Sequence, residues 1–317
     1  MGAPSRPRWS SLQYWPRKRA SYILPSANWK VVRGVGLLGF VVYKAAMASA
    51  IVKDETANSM TKGKKMVVPV TILEAPNTKI YSVRFYNQGV VVKDVVVSND
   101  KDLKRVLRVS KEAKNIDNET PKVFDDVRLI TYTLAKQTGI KKAPDLIEIA
   151  LGANSAQEKL AIAKSFIGKE ITLKDFVGKA ELFDTRGLTK GKGLVGAIKR
   201  HGLTLKAHKS EKGVRRPGSL GPWHPARVTF RTPAAGQLGM FTRINYNNKL
   251  VAIGNIQEKD INKGTGFKHY GKIKTSYIVL QGSVQGPVKR QIILTPSFRP
   301  TKIQNKKKLE FQELIVL

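Results

Sequence analysis

The sequence predicts a mostly-β protein with a few helices, of the α+β class, whose folded part is assembled from two separated stretches. Three observations lead there. Runs rich in Val, Ile, Thr, Tyr and Phe recur across residues 36–184 and 240–317, with Pro, Asn and Gly turn signals between them. Charge is nearly balanced over residues 54–184, where 22 Lys and Arg face 18 Asp and Glu. Between the two stretches, Thr185–Gln257 carries 14 Lys and Arg against one acid, Glu211, and no helical or strand period survives through its middle. The division expected is a basic extension (1–35), a discontinuous β domain (36–184 with 240–317) and a basic central extension (185–239).

The elements follow in order. The arm mixes Pro4, Pro7, Pro16 and Pro25 with Arg6, Arg8, Arg17, Lys18 and Arg19 and with Trp9, Trp15 and Trp29. Proline opposes helix and strand interiors, and interleaved rings and cations suit base stacking with phosphate contact. A mitochondrial presequence is the competing reading; the proline density and the lack of an amphipathic period count against it. Residues 35–52 are apolar apart from Lys44. A central Lys in a membrane span costs about 2.5–3.5 kcal/mol on insertion scales, so a buried strand from Leu37 to Tyr43 is favoured over a span.

MVVPVTILE, TKIYSVRFY and VVVKDVVV, within residues 66–97, then read as strands whose short connections favour antiparallel pairing. A single sheet curling on itself would make a barrel. A helix is expected across Asp102–Lys114, with strands at 128–134 and 145–151 around Lys141 and Lys142. Ser155 and Glu158 form a capping signature for a helix ending near Gly168, and ITLKDF closes this section. Strands resume at 249–254, 275–280, 290–295 and 308–317, and Gly282–Arg290 reads as a hairpin tip.

Composition limits function. The net charge is +34 and the isoelectric point about 10.3, so the chain needs an acidic counterpart: nucleic acid, an anionic membrane or an acidic partner. Cysteine is absent, which excludes disulfides, thiolate metal sites and cysteine nucleophiles. The histidines His201, His208, His224 and His269 lack metal-ligand spacing. Gly191, Gly193 and Gly196 match a dinucleotide fingerprint, with Glu211 beyond them, but no apolar strand leads in and Gly202 interrupts the helix that should follow. These glycines instead suit close approach of backbone, Lys190 and Lys192 to phosphates. At the other end of the insertion, Pro222 and Pro225 bracket Trp223 and His224. A tryptophan usually packs in a core; here its polar, Gly and Pro neighbours favour a stiff tip that presents the indole to a partner. The reading is of a binding protein and not an enzyme, with no cofactor, metal or small-molecule substrate.

GLTKGKGLVGAIKRHG, GPWHPARV, GQLGMFTR and FKHYGKIKTSYIVLQGSVQGPVKR, with SRPRWSSLQYWPRKRAS and GFVVYKAAM near the start, closely resemble the universal large-subunit ribosomal protein L-three family in its archaeal and eukaryotic branch. The likeness runs in order through nearly the whole chain, loosely over 100–165. It departs after Tyr43-Lys44, where the family usually has Ala-Gly-Met-Thr-His and this chain has Ala46-Met47-Ala48-Ser49 following. The resemblance implies a barrel of the translation-protein type seated on ribosomal RNA, with two extensions entering the RNA core. It places Trp223, beside His224, near the peptidyl transferase centre, and matches Lys190, Lys192, Lys199 and Arg200 to a basic stem. It implies a cytoplasmic, non-catalytic constituent of the large subunit that joins early in assembly beside other ribosomal proteins and is not a homo-oligomer.

The residues expected at RNA are therefore Arg6, Arg8, Trp15, Arg17, Lys18 and Arg19 in the arm. In the insertion they are Arg186, Lys190, Lys192, Lys199, Arg200, Lys206, His208, Lys209, Lys212, Arg215, Arg216, Trp223, His224 and Arg227, joined by Arg243, Lys289 and Arg290 beyond it.

Overall fold

The β-branched runs form strands, and two sheets account for most of them. The computed structural model describes residues 7–110, 112–178 and 180–315. Its strands are β1 (Gly36–Leu37), β2 (Phe40–Asp54), β3 (Lys65–Ala75), β4 (Thr78–Asn87), β5 (Val90–Val96), β6 (Asp126–Thr133), β7 (Leu146–Gly152), β8 (Leu182–Leu188), β9 (Leu194–Val195), β10 (Gly236–Gln237), β11 (Thr242–Asn255), β12 (Ser276–Gln281), β13 (Gln291–Pro296) and β14 (Leu309–Ile315). The α-helices are short: α1 (Ile116–Glu119), α2 (Ala156–Phe166), α3 (Leu173–Val177), α4 (Ala197–His201) and α5 (Lys302–Lys306). The chain divides into two units. A basic unit takes the residues up to Tyr22 together with Leu188–Thr242, and a β unit takes Ile23–Gly187 and the chain from Arg243 onward.

In the β unit the larger sheet runs β13-β8-β11-β12-β3-β2-β14. Residues Phe40–Tyr43 of β2 also pair with Gln291–Leu294 of β13, so six strands close into a ring. The later part of β2 serves β14, from Ser49 against Ile315 to Asp54 against Leu309. Strand periodicity then sorts the side chains into two cores. Tyr277 and Val279 of β12 join Tyr43, Val70 and Ile72 in one, while Ile278 and Leu280 face the other. That second core is shared with Val83, Phe85, Leu129 and Ile149 of the smaller sheet, whose order is β1-β7-β6-β4-β5.

Four expectations need correction. Among the described residues, only a 3-10 turn, Lys101–Arg105, stands where a helix over Asp102–Lys114 was expected: Leu103 is the one buried residue described there, and Val106 lies exposed. The strands of the middle do not share one sheet: Pro76-Asn77 sends the chain from β3 in the ring to β4 in the smaller sheet. Gly282–Arg290 is not a hairpin, since β12 pairs with β11 and β3 while β13 pairs with β8 and β2. That loop is a crossing held by buried Lys44, whose Nζ donates to the carbonyls of Val284 (2.5 Å) and Gly286 (3.3 Å). Trp29, grouped with the RNA-facing arm, is buried in the core and lies so close to Gly39 that a Cβ there would sit 2.7 Å from its ring.

The caps follow sequence. Ser155 accepts from the Glu158 N–H at the start of α2, and Thr172 with Asp175 forms a full capping box that begins α3 within ITLKDF. The apolar stretch 35–52 forms β1 and most of β2 with a break at 38–39, and among the described residues no helix is long and apolar enough to cross a membrane.

Candidate nucleic-acid interface

The basic unit has little apolar material, so its backbone and arginines must order it. The insertion leaves and returns through an antiparallel stem. Thr189 N–H donates to Phe241 O (3.0 Å), Lys192 N–H to Leu238 O (2.9 Å) and Leu238 N–H to Gly193 O (2.9 Å). Beyond these, β9 pairs with β10. The two sides approach closely: a Cβ on Gly239, whose φ is +83°, would lie 1.9 Å from Lys190 O. Gly191 packs against Met240, 3.0 Å from an added Cβ. Gly239 needs glycine for contact between the stem's own strands, and Gly191 sits tightly in the same contact, a role that the spacing of Gly191, Gly193 and Gly196 did not disclose.

The arm joins this stem. Ala20 N–H donates to Met240 O (3.0 Å), Arg8 Nη1 to Arg231 O (2.5 Å) and Arg17 Nη1 to Arg200 O (2.6 Å). Arg200 answers with a planar fork, Nε to Gln237 O (3.0 Å) and Nη1 to Ala234 O (3.1 Å). Its guanidinium also lies 5.9 Å from the centre of the Trp15 ring. Trp15 stacks on His201 at 6.2 Å and meets the edge of Phe230 at 5.8 Å, and the Ser10 hydroxyl lies 2.7 Å from His201 Nδ1. Burial, with Arg17 and Arg200 alongside, pushes the His201 imidazole down to about 4, so it is neutral at pH 7. Burial likewise lowers the pKa of Arg200.

The tip is open. Trp223 is 86% exposed, and every residue from 221 to 230 is exposed. The chain closes behind it where the Thr232 hydroxyl donates to Leu220 O (2.8 Å). An exposed indole held on a Pro-flanked turn gives a face on which a base can stack, worth about 1–3 kcal/mol per base.

The family model for Ribosomal protein L3 matches residues 1–314 of this chain. The chain belongs to that family. It is 39% identical over 310 residues to the large ribosomal subunit protein uL3 of Methanocaldococcus jannaschii, covering 93% of this chain and 92% of the relative. To the protein of the same name from Archaeoglobus fulgidus it is 40% identical over 310 residues, covering 94% and 93%. The uL3 protein of Methanococcus vannielii is 38% identical over 312 residues, covering 94% and 93%.

Within this ribosomal protein the expected RNA residues fall into three groups. Lys18, Arg19, Lys190, Lys192, Lys199, Lys206, His208, Lys209, Lys212, Arg215, Arg216, Trp223, His224, Arg227 and Lys289 are exposed. Arg8, Trp15, Arg17 and Arg200 are half-buried and engaged within the basic unit, while Arg243 and Arg290 are half-buried in the β unit. Arg186 stands apart: it is 8% exposed on β8, with Nε 3.5 Å from the Thr295 hydroxyl, so it faces the fold and not solvent. Arg6 lies outside the described residues. Sequence reasoning missed Ser10, His201, Phe230 and Met240 as the parts that fasten arm to stem. The aromatic character of Trp15 and Phe230 was visible, but nothing in the local sequence pairs residues so far apart. Among the described residues no group of three or more His, Asp or Glu is placed to hold a metal ion.

Proposed function

We propose that this chain is a cytoplasmic structural constituent of the large ribosomal subunit that binds large-subunit rRNA through its basic unit and takes part early in subunit assembly beside other ribosomal proteins. The supporting observation is the basic unit itself: 16 Lys and Arg against one acid, ordered by carbonyl contacts, with most of its cations left exposed. Carbonyl acceptors fix the arginine side chains without cancelling their charge, so the unit keeps a strong positive field for phosphates. Trp223, at the exposed end, reaches toward the peptidyl transferase centre and is a positioning element there, not a catalyst.

The test is binding of the purified protein to large-subunit rRNA across a salt series. If about ten cations meet phosphates, log affinity falls against log salt with a slope of roughly −7 to −9. Weak binding with a shallow slope would sink the reading. Removing residues 189–241, which spares β8 and β11, should cut affinity sharply and leave the β unit folded; global unfolding would show instead that the insertion is part of the core.

A further inference from the structure

One motif is left over by the arm and the insertion. FKHYGKIK, residues 267–274, belongs to the β unit, and residues 261–275 hold four lysines and one histidine with no acid. This segment is built on anchors. Phe267, Tyr270 and Ile273 are buried in the core that contains Tyr43 and Val251. Phe267 N–H donates to Gly271 O (2.9 Å) and Gly271 N–H to Phe267 O (3.0 Å), which closes a tight turn with Lys268 and His269 at its apex. His269 itself sits at φ +63°, a left-handed conformation that most side chains avoid.

From beneath, the fully buried Glu74 carboxylate holds the turn in place. It accepts from the Tyr270 hydroxyl, from the Lys274 N–H (2.8 Å), and from the N–H and hydroxyl of Thr275 (3.0 Å each). The Asn262 side chain brackets the same segment, donating to Ile273 O (3.0 Å) and accepting from Ile273 N–H (2.8 Å). Lys263, Lys268, His269 and Lys272 are left exposed. Of the acids just before the segment, Glu258 pairs with Lys174 (3.1 Å), and Asp260 accepts from the Asn262 N–H (2.8 Å) at the start of the segment.

We propose that this turn is a second RNA-phosphate site, carried on the β unit and separate from the arm and insertion. A turn whose backbone is fixed before binding loses little entropy on meeting a polyanion. Its exposed side chains include lysines but no acid: among residues 261–275 every large apolar side chain is buried or half-buried, and none is exposed. Protein interfaces centre on apolar or aromatic anchors, so a phosphate backbone fits this face better than an acidic protein does.

This inference rests on the rRNA binding proposed above, and one series of measurements separates the two. In the full chain, Lys263→Gln, Lys268→Gln and Lys272→Gln are combined and binding to large-subunit rRNA is followed across salt. The expected result is a log–log slope shallower by about 2–3, with an unchanged melting temperature. A parent that binds rRNA while the triple variant keeps the same affinity and slope overturns the inference alone. A parent that fails to bind overturns both readings. Lysine acylation footprinting of the unsubstituted chain needs no variant to fold: rRNA should protect Lys268 and Lys272, and equal labelling with and without rRNA overturns the proposal.

Discussion

The β unit and the basic unit solve the same problem, holding cations in place, by opposite means. In the β unit carboxylates do it for the cations on the smaller sheet, although buried Lys44 in the ring uses carbonyls. Arg84 contacts Asp94 (2.7 Å) and Glu148 (3.4 Å), and Arg128 contacts Glu148 (2.9 Å) and Asp126 (3.0 Å), with Lys159 also on Asp126 (2.7 Å). In the basic unit the one acid is Glu211, and carbonyl oxygens take the place of carboxylates. Arg8, Arg17 and Arg200 all donate to main-chain oxygens of the same unit. A carboxylate cancels charge, whereas a carbonyl orders the guanidinium and leaves its field intact. The acid-poor composition of the insertion is therefore compatible with order, provided arginine forks find backbone.

The two units should also differ most in what a lost ring costs. Phe183 is fully buried, with Phe176 at 5.6 Å, whereas Phe230 is 64% exposed beside Trp15. Phe183→Ala should destabilise the β unit by about 3–5 kcal/mol, through lost transfer energy and the cavity left behind. Phe230→Ala should cost less than about 1 kcal/mol. Chemical denaturation followed by circular dichroism compares them; equal losses would mean that the basic unit has a core of its own.

Local signals made the strands legible. Ile72-Leu73 and Ile292-Ile293 sit in strands because β-branched and apolar runs suit a ladder buried on both faces. The Ser155 cap was readable for the same local reason. What failed was pairing. Pro76-Asn77 and Gly282–Arg290 are true chain reversals or breaks, but nothing local says whether the next strand lies alongside or elsewhere in the ring. In the site, exposure of Trp223 could be argued from its Gly and Pro neighbours. Burial of Arg186 could not, because its position on a ring strand, opposite Ile293, is set by distant chain.

Arg200 tests the carbonyl mechanism directly. Arg200→Ala removes donors to Gln237 and Ala234 and leaves those oxygens to water, a loss of about 2 kcal/mol confined to the stem. Hydrogen exchange should quicken at residues 236–242 and stay unchanged in the β12–β13 strands. Arg200→Lys should restore little, since a single ammonium cannot reproduce the fork. Full rescue by Lys would show that charge alone, without the fork, holds the stem.

Protonation gives a smaller and sign-definite effect. His201 in the folded unit titrates near 4, against an ordinary 6.5, so the opened form binds the proton first. Stability of the arm–stem contact is therefore complete above about pH 6.5 and falls as pH drops toward 4. Asp54 in the β unit behaves differently: Thr56, Thr61 and Ser59 hold its carboxyl well below the usual range, so its turn keeps order through the same window. Exchange rates corrected for intrinsic pH dependence should show the stem opening first on acidification. His201→Gln should abolish that dependence, and a stem equally pH-sensitive without His201 would assign the effect to another group.

The smallest expected change in folding comes from Trp223→Ala. A side chain 86% exposed has little packing to lose, so stability should move by less than about 0.5 kcal/mol. If the indole stacks on a base, rRNA affinity should still fall, by about 1–3 kcal/mol, with the salt slope unaltered because no charge is removed. Lys190→Gln, on the exposed stem, should do the converse and lower the slope by about 0.7–0.9. The pair of substitutions separates the two contributions of the basic unit, an aromatic contact that chooses a place and a charge that holds the backbone. A Trp223→Ala variant that binds with undiminished affinity would assign the tip no base contact and leave the unit a purely electrostatic device.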